Sequence, residues 1–229
     1  MTTNSAHPLD NPVRSALFGP QAELAESHGT ARRYPKDVSP FVARPDSGDD
    51  EQWRDLATLV GAAGFVVMAG LEQAPPAGWE VTMDIPGVQL VGEAVAGLAE
   101  PEAVRLTDAD VPEMLDLVER TRPGPFLPRT IALGNYLGVR RGGALVAMAG
   151  ERFRPAGWTE ISAVCTDPEF RGQGLGARLV LAIVLGMQAR GEKPLLHAAA
   201  SNENAIRLYT ALGFTQRREI SFRGLVAPA

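Results

Sequence analysis

The segment TDPEFRGQGLGAR, residues 166–178, decides the fold of this chain. It follows a predicted strand over 159–166 and leads through glycines into a predicted helix over 175–190. The first N–H groups of a helix have no partner within it, and with the positive end of the helix dipole they attract a phosphate. Glycines let such a backbone approach a ligand closely. The segment therefore predicts a site for a phosphate-bearing ligand.

Three kinds of phosphate ligand compete for this loop. A nucleoside triphosphate requires a lysine followed by serine or threonine at the end of the loop, whereas Ala177 and Arg178 stand there. A dinucleotide would use the pattern G-x-G-x-x-[GA], which residues 172–177 satisfy. However, five residues separate the pattern from the preceding strand and no acidic residue ends the next strand, so the dinucleotide fingerprint is incomplete. The third ligand is coenzyme A.

Two motifs favour coenzyme A. Arg171-x-x-Gly174-x-Gly176 resembles the R/Q-x-x-G-x-G/A signature of the GNAT superfamily of N-acetyltransferases. Residues 202–214, NENAIRLYTALGF, resemble the superfamily's N-x-x-A-x-x-L-Y-x-x-x-G-F segment, and the resemblance extends over residues 104–222. It implies that acetyl-CoA is the co-substrate and that an amine is the acceptor. A glycine loop that serves only as a turn is the structural alternative.

The resemblance implies which residues bind the coenzyme. The backbone of Val164, Cys165 and Thr166 would pair with the pantetheine arm as an added strand. Asn202 matches a coenzyme-contacting asparagine and is equally suited to cap the following helix. Arg171 is either a fork donor to phosphate or a surface arginine. The loop backbone would wrap the pyrophosphate through Arg171, Gly172, Gln173, Gly174, Leu175, Gly176 and Ala177.

Acetyl transfer requires a neutral amine and a proton for the leaving thiolate. An amine with a pKa of about 10.4 loses its proton at pH 7 at a cost of roughly 4 kcal/mol, whereas an α-amine near 7.8 costs only about 1 kcal/mol. The motif position of Tyr209 implies a coenzyme contact and the general acid, since a phenol with a pKa of about 10 can protonate a nearby sulfur anion. Its helical spacing with Leu208 and Leu212 also suits a core residue.

Glu160 is the candidate base, because it lies on the strand before the loop, where several superfamily members carry a carboxylate. Strand alternation would place Glu160 on the same face as Trp158, Ser162 and Val164. The proton would pass to Glu160 or to a water that it orders. A solubilising charge at the strand edge is the alternative role, and Glu151 on the neighbouring strand is the second candidate base.

Other reactive side chains have simpler interpretations. An acyl-enzyme on Cys165 is an alternative route, but small residues are common beside a coenzyme and no histidine is near it in sequence. His197 stands alone in a strand, where a structural role is the commoner one. His7 and His28 show no ligand spacing, so we expect no metal.

The rest of the chain divides by composition into residues 1–92, a linker at 93–103 and residues 104–229. The second part reads as a mixed α/β fold, with a largely antiparallel sheet flanked by helices. In the first part we expect a helix over 21–27, a loop at 46–51, and strands at 79–83 and 88–91 separated by Ile85-Pro86-Gly87. This N-terminal half is either a degenerate copy of the same fold or a substrate-recognition domain.

Composition excludes several classes of protein. The chain has 229 residues, a single cysteine and a net charge of −5, which argue against nucleic-acid binding and a disulfide-stabilised secreted fold. No apolar run approaches a membrane span, so we expect a cytoplasmic protein. The resemblance implies acetyl-CoA and an amine as partners, and we expect a monomer or homodimer. A protein that senses acetyl-CoA or another small ligand without turnover is the second functional class. Residues 1–100 carry 6 basic and 14 acidic side chains, and this charge leaves the acceptor open.

Overall fold

The computed structural model describes residues 7–45 and 49–229. In chain order the helices are α1 (Pro12–Leu17), α2 (Asp50–Val60), α3 (Val111–Thr121), α4 (Leu175–Ala189) and α5 (Glu203–Ala211). The strands are β1 (Glu26–His28), β2 (Ala31–Arg33), β3 (Phe65–Ala69), β4 (Glu80–Val91), β5 (Val104–Arg105), β6 (Tyr136–Arg141), β7 (Ala144–Glu151), β8 (Trp158–Thr166), β9 (Lys193–Ala199) and β10 (Thr215–Val226).

Eight strands form one sheet in the order β3-β10-β4-β9-β8-β7-β6-β5, and β1 pairs with β2 outside it. All neighbours in the large sheet are antiparallel except β8 and β9, which run parallel. Helix α4 packs on this sheet through buried Leu179, Ile183 and Met187. The predicted mixed, largely antiparallel sheet flanked by helices is confirmed.

Local sequence explains several elements of the second half. The turn between β6 and β7 uses Gly142 and Gly143, with φ of 58° and 89°, as a tight hairpin with two left-handed residues requires. Pro112 lies in the first turn of α3, where its missing N–H costs nothing. Gly174 adopts a φ of 72° at the N-cap of α4, so the loop turns sharply into the helix.

The N-terminal half differs from its prediction in two places. The helix expected over 21–27 is a single turn at Ala22–Leu24 followed by β1. The two strands expected on either side of Ile85-Pro86-Gly87 form one continuous strand, β4. Pro86 lacks only an N–H donor, and its carbonyl accepts from Ala200 N at 2.8 Å, so β4 tolerates it. Residues 46–48 of the expected loop lie outside the described residues.

Strands from both parts of the chain share the large sheet. β4 lies between β9 and β10 and pairs with both, and β3 pairs with the far side of β10. Arg178 of α4 binds Glu100 and Glu102, which lie in the 93–103 stretch. The division at 93–103 and the degenerate-copy hypothesis stay predictions, but the two parts are joined by strand pairing.

The parallel pair β8–β9 opens towards the glycine loop. Its last paired residues are Ile161 and Leu196, although β8 continues to Thr166 and β9 to Ala199. Ala163 adopts a φ of 52° within β8, and the register against β7 shifts there. This bulge places Val164 in the same core cluster as Ile161, so the alternation expected from Glu160 through Val164 is wrong.

Candidate active site

A cleft of about 810 Å³ opens where β8 and β9 separate. One wall is the end of β8 and the glycine loop, and a second is the N-terminal part of α5 with Tyr209. The last residue of α3, Thr121, and the following residues 122–125 form a third. Of the residues predicted to bind the coenzyme, those that line the cleft are Val164, Cys165, Thr166, Arg171, Gly172, Gly176, Asn202 and Tyr209. Gln173, Gly174, Leu175 and Ala177 do not line it.

The glycine loop leaves backbone donors free at the start of α4. Arg178 N donates to Gly174 O at 3.1 Å, so the amides of residues before Arg178 have no acceptor within the helix. A Cβ on Gly176 would lie 3.7 Å from Val164 Cγ1 and 3.8 Å from Thr166 Oγ1, which is ordinary contact. Protein packing therefore does not require this glycine, whereas close approach of a ligand would.

The edge of β8 that faces β9 is unpaired beyond Ile161. An extended arm can hydrogen-bond to such an edge as an additional strand. On the opposite edge, Cys165 and Thr166 remain paired with β7. The backbone that we expect to hold the pantetheine arm is thus fixed on one side and open on the other.

Tyr209 lies on α5 with its side chain largely buried, and its ring contacts Phe214 edge-to-face. Burial raises the pKa of Tyr209 to about 12. The phenol therefore keeps its proton at neutral pH. Burial also raises the pKa of the Cys165 thiol to about 11, which disfavours a thiolate nucleophile at that position.

Glu160 is fully buried and does not line the cleft. Its carboxylate accepts from Arg152 Nε at 3.0 Å and Nη2 at 2.6 Å, and from His197 Nδ1 at 2.7 Å. Burial alone would raise the pKa of Glu160, but the guanidinium of Arg152 and these hydrogen bonds outweigh it and lower the pKa to about 2. A carboxylate with this pKa is a weak proton acceptor.

Gln89 of β4 fixes the other side of His197. Its Nε2 lies 3.0 Å from His197 Nε2 and also donates to Leu9 O, while its Oε1 accepts from Arg217. Because an amide nitrogen only donates, His197 Nε2 is an acceptor and Nδ1 carries the proton towards Glu160. The ring of His197 is therefore held in one tautomer by both neighbours.

Glu151, the second candidate base, lies away from the cleft. Its carboxylate accepts from Asn135 N at 3.1 Å and pairs with Arg190 at 2.7 Å. Asn202 caps α5, because its Oδ1 accepts from Ala205 N at 3.1 Å, and it also lines the cleft. Both of the roles considered for Asn202 are therefore compatible with its position.

Sequence reasoning missed Arg152 and Gln89. Arg152 follows Glu151, which ends the otherwise apolar strand β7, and a charged residue beside a buried strand is a signal that it has a buried partner. Gln89 has no such signal, since its contact with His197 joins residues 108 positions apart.

Comparison with known proteins now gives the family. A crystal structure of a GNAT-family protein from Novosphingobium aromaticivorans superposes with a TM-score of 0.89, at 42% identity, over 97% of this chain and 100% of that one. The chain belongs to the GNAT family. The FR47-like protein family also matches residues 136–222. Membership implies use of acetyl-CoA.

Two curated relatives that are named acetyltransferases match this GNAT protein over part of their length. N-alpha-acetyltransferase RimI of Mycobacterium tuberculosis is 34% identical over 84 residues, which are 35% of this chain and 51% of that protein. Mycothiol acetyltransferase of Thermobispora bispora is 43% identical over 58 residues, which are 25% of this chain and 20% of that protein. The chain thus spans about half the length of these relatives or less.

Within residues 7–45 and 49–229, no three histidine, cysteine, aspartate or glutamate side chains are grouped so that they could hold a metal ion. Nor does any helix there have the length and apolar character that crossing a membrane requires.

Proposed function

We propose that this GNAT protein transfers the acetyl group of acetyl-CoA directly to a primary amine in a ternary complex. The observation that carries the proposal is the separation of β8 and β9 beside a glycine loop that ends in the N-terminus of α4. The opening offers unpaired strand backbone to an extended arm, and the loop offers amides to its pyrophosphate. One ligand that combines these two features is coenzyme A.

In the proposed reaction the amine lone pair attacks the thioester carbonyl carbon. A C–N bond forms, the C–S bond breaks, nitrogen loses one proton and sulfur gains one. Tyr209 would supply the proton to sulfur, because its hydroxyl is protonated at neutral pH and its side chain lines the cleft. Since its pKa is raised, the transfer would occur only as negative charge builds on the departing sulfur.

The proton from nitrogen needs a different acceptor. Glu160 has no surface in the cleft and a pKa of about 2. We therefore propose that a water carries the proton away and that Glu160 acts by holding Arg152 and His197 in place. Direct proton abstraction by Glu160 is the competing proposal, and a Glu160→Gln variant separates the two.

Release of free thiol from acetyl-CoA in the presence of a panel of amines tests the function. We expect thiol release that depends on both the protein and the amine, and an acetylated amine detectable by mass spectrometry. Binding of acetyl-CoA measured by calorimetry, without thiol release for any amine, would instead identify a sensing module and refute acetyl transfer.

A further inference from the structure

The side of the cleft formed by β3, β4 and β10 is apolar. These strands lie on the other side of β9 from β8 and the glycine loop. The side chains that line the cleft here are Phe41, Val67, Met83, Ile85 and Phe222, and we call this set the apolar compartment. Four of the five come from the N-terminal half, so that half of the chain shapes the cleft.

Strand pairing holds the apolar compartment in place. Ile85 of β4 pairs with Phe222 of β10, and Val67 of β3 pairs with Gly224. The Phe41 ring contacts the Phe222 ring edge-to-face, with centroids 6.2 Å apart. Ile85 is 38% exposed and lines the cleft, so part of its side chain is open to a bound ligand.

Arg152 brings a hydrogen-bond donor to this compartment. The residue is 8% exposed, lines the cleft, and stacks its guanidinium over the Phe41 ring at 4.7 Å. Glu160 occupies Nε and Nη2, whereas Nη1 has no hydrogen-bond partner among residues 7–45 and 49–229. Nη1 is not fully buried, so it is open to the cleft, where it can donate to a ligand carboxylate.

The charges around the cleft favour an anionic acceptor group. Arg171 belongs to the glycine loop and is assigned to the coenzyme, which leaves Arg122 and Arg152 for the acceptor, and in the described part of the chain no aspartate or glutamate lines the cleft. A nearby guanidinium also lowers the pKa of an amine, because it disfavours the ammonium form. An amine bound here would be neutral more often than in water, which reduces the need for a strong base.

We infer that the acceptor is an amine that carries both a carboxylate and an apolar or aromatic side group, such as an apolar α-amino acid. The side group fills the apolar compartment, and the carboxylate accepts from Nη1 of Arg152. That this molecule accepts the acetyl group rests on the proposed function. That it binds in the cleft does not.

Calorimetry with acetylated products tests the binding without turnover. N-acetyl-L-phenylalanine, titrated into the full chain with coenzyme A present, should bind at least about tenfold more tightly than N-acetylphenethylamine, which lacks the carboxylate. Its affinity should exceed that of N-acetyl-L-alanine, which lacks the ring, by a similar factor. Affinities within twofold of each other, or no binding of N-acetyl-L-phenylalanine, would overturn the inference.

A matched pair of variants on β4 locates the side group. Ile85→Ala should weaken binding of N-acetyl-L-phenylalanine by about three- to tenfold. Val81→Ala should leave it unchanged, because Val81 is similarly exposed at 42% on the same strand but does not line the cleft. Equal effects of the two variants would refute the placement. Binding of the product without thiol release from acetyl-CoA with phenylalanine or with any amine of the panel would refute acetyl transfer and retain the subsite.

Discussion

Glu160→Gln should lower the stability of the fold more than it changes catalysis. The change keeps the shape of the side chain but leaves the buried guanidinium of Arg152 without its counter-charge. Removing one partner of a buried ion pair costs about 3–5 kcal/mol. The pKa gives a similar figure, since lowering it from 4.5 to about 2 in the folded state corresponds to about 3 kcal/mol. For a chain of this size, a loss of about 3–5 kcal/mol predicts a decrease in Tm of roughly 6 to 20 °C.

Thermal unfolding and the pH dependence of kcat separate a structural role from a base role. Glu23→Gln is the control, because Glu23 is exposed and outside the cleft. We expect a lower Tm for Glu160→Gln and an unchanged Tm for the control. At temperatures below the Tm of Glu160→Gln, its pH–rate profile should have the same shape as that of the unmodified protein. A Tm within about 1 °C of the unmodified protein, with kcat reduced and its acidic limb lost, would show that Glu160 is the base.

Four further predictions concern the same elements. Arg152 overcomes the effect of burial and lowers the pKa of Glu160 from 4.5 to about 2, so the stability that ionised Glu160 adds to the fold is complete above pH 4.5 and is lost as the pH falls through 2. The free energy of unfolding in urea should therefore be larger at pH 6 than at pH 3, and a larger value at pH 3 would contradict this prediction. Tyr209→Phe should lower kcat about 100-fold while calorimetry gives unchanged binding of coenzyme A, and an unaltered pH–rate profile would exclude the acid role. With its pKa raised to about 11 from 9.0, Cys165 should react with iodoacetamide at pH 8 about 100-fold more slowly than an unperturbed thiol, and rapid labelling would refute its burial. The fragment 104–229 should not fold alone, because β4 lies between β9 and β10, and a dispersed NMR spectrum of that fragment would instead support two domains.

The coenzyme side of the cleft could be predicted because its signal is local. A strand, a glycine loop and a helix N-terminus lie within residues 159–178, so their arrangement depends on neighbours in sequence. The same holds for the hairpin at Gly142 and Gly143, where backbone conformation follows from residue type.

The surroundings of Glu160 could not be predicted, because they depend on pairing between distant strands. Arg152 reaches Glu160 across the β7–β8 ladder, and His197 reaches it from β9. Alternation along β8 failed for a similar reason, since the bulge at Ala163 shifts every later side chain to the other face. Pattern rules assume regular strands, and this site uses an irregular one.

The two sides of the cleft also differ in which part of the chain supplies them. The FR47-like match covers residues 136–222, which include Arg152, Tyr209 and the glycine loop, but exclude most of the apolar compartment. A fold shared by many enzymes does not determine the acceptor, which depends on the residues of the individual site. The Novosphingobium protein matches 97% of this chain, so its similarity includes the N-terminal half. Relatives that match only 58 or 84 residues leave most of this chain unmatched. The acceptor of such a relative is therefore not evidence for the acceptor of this protein.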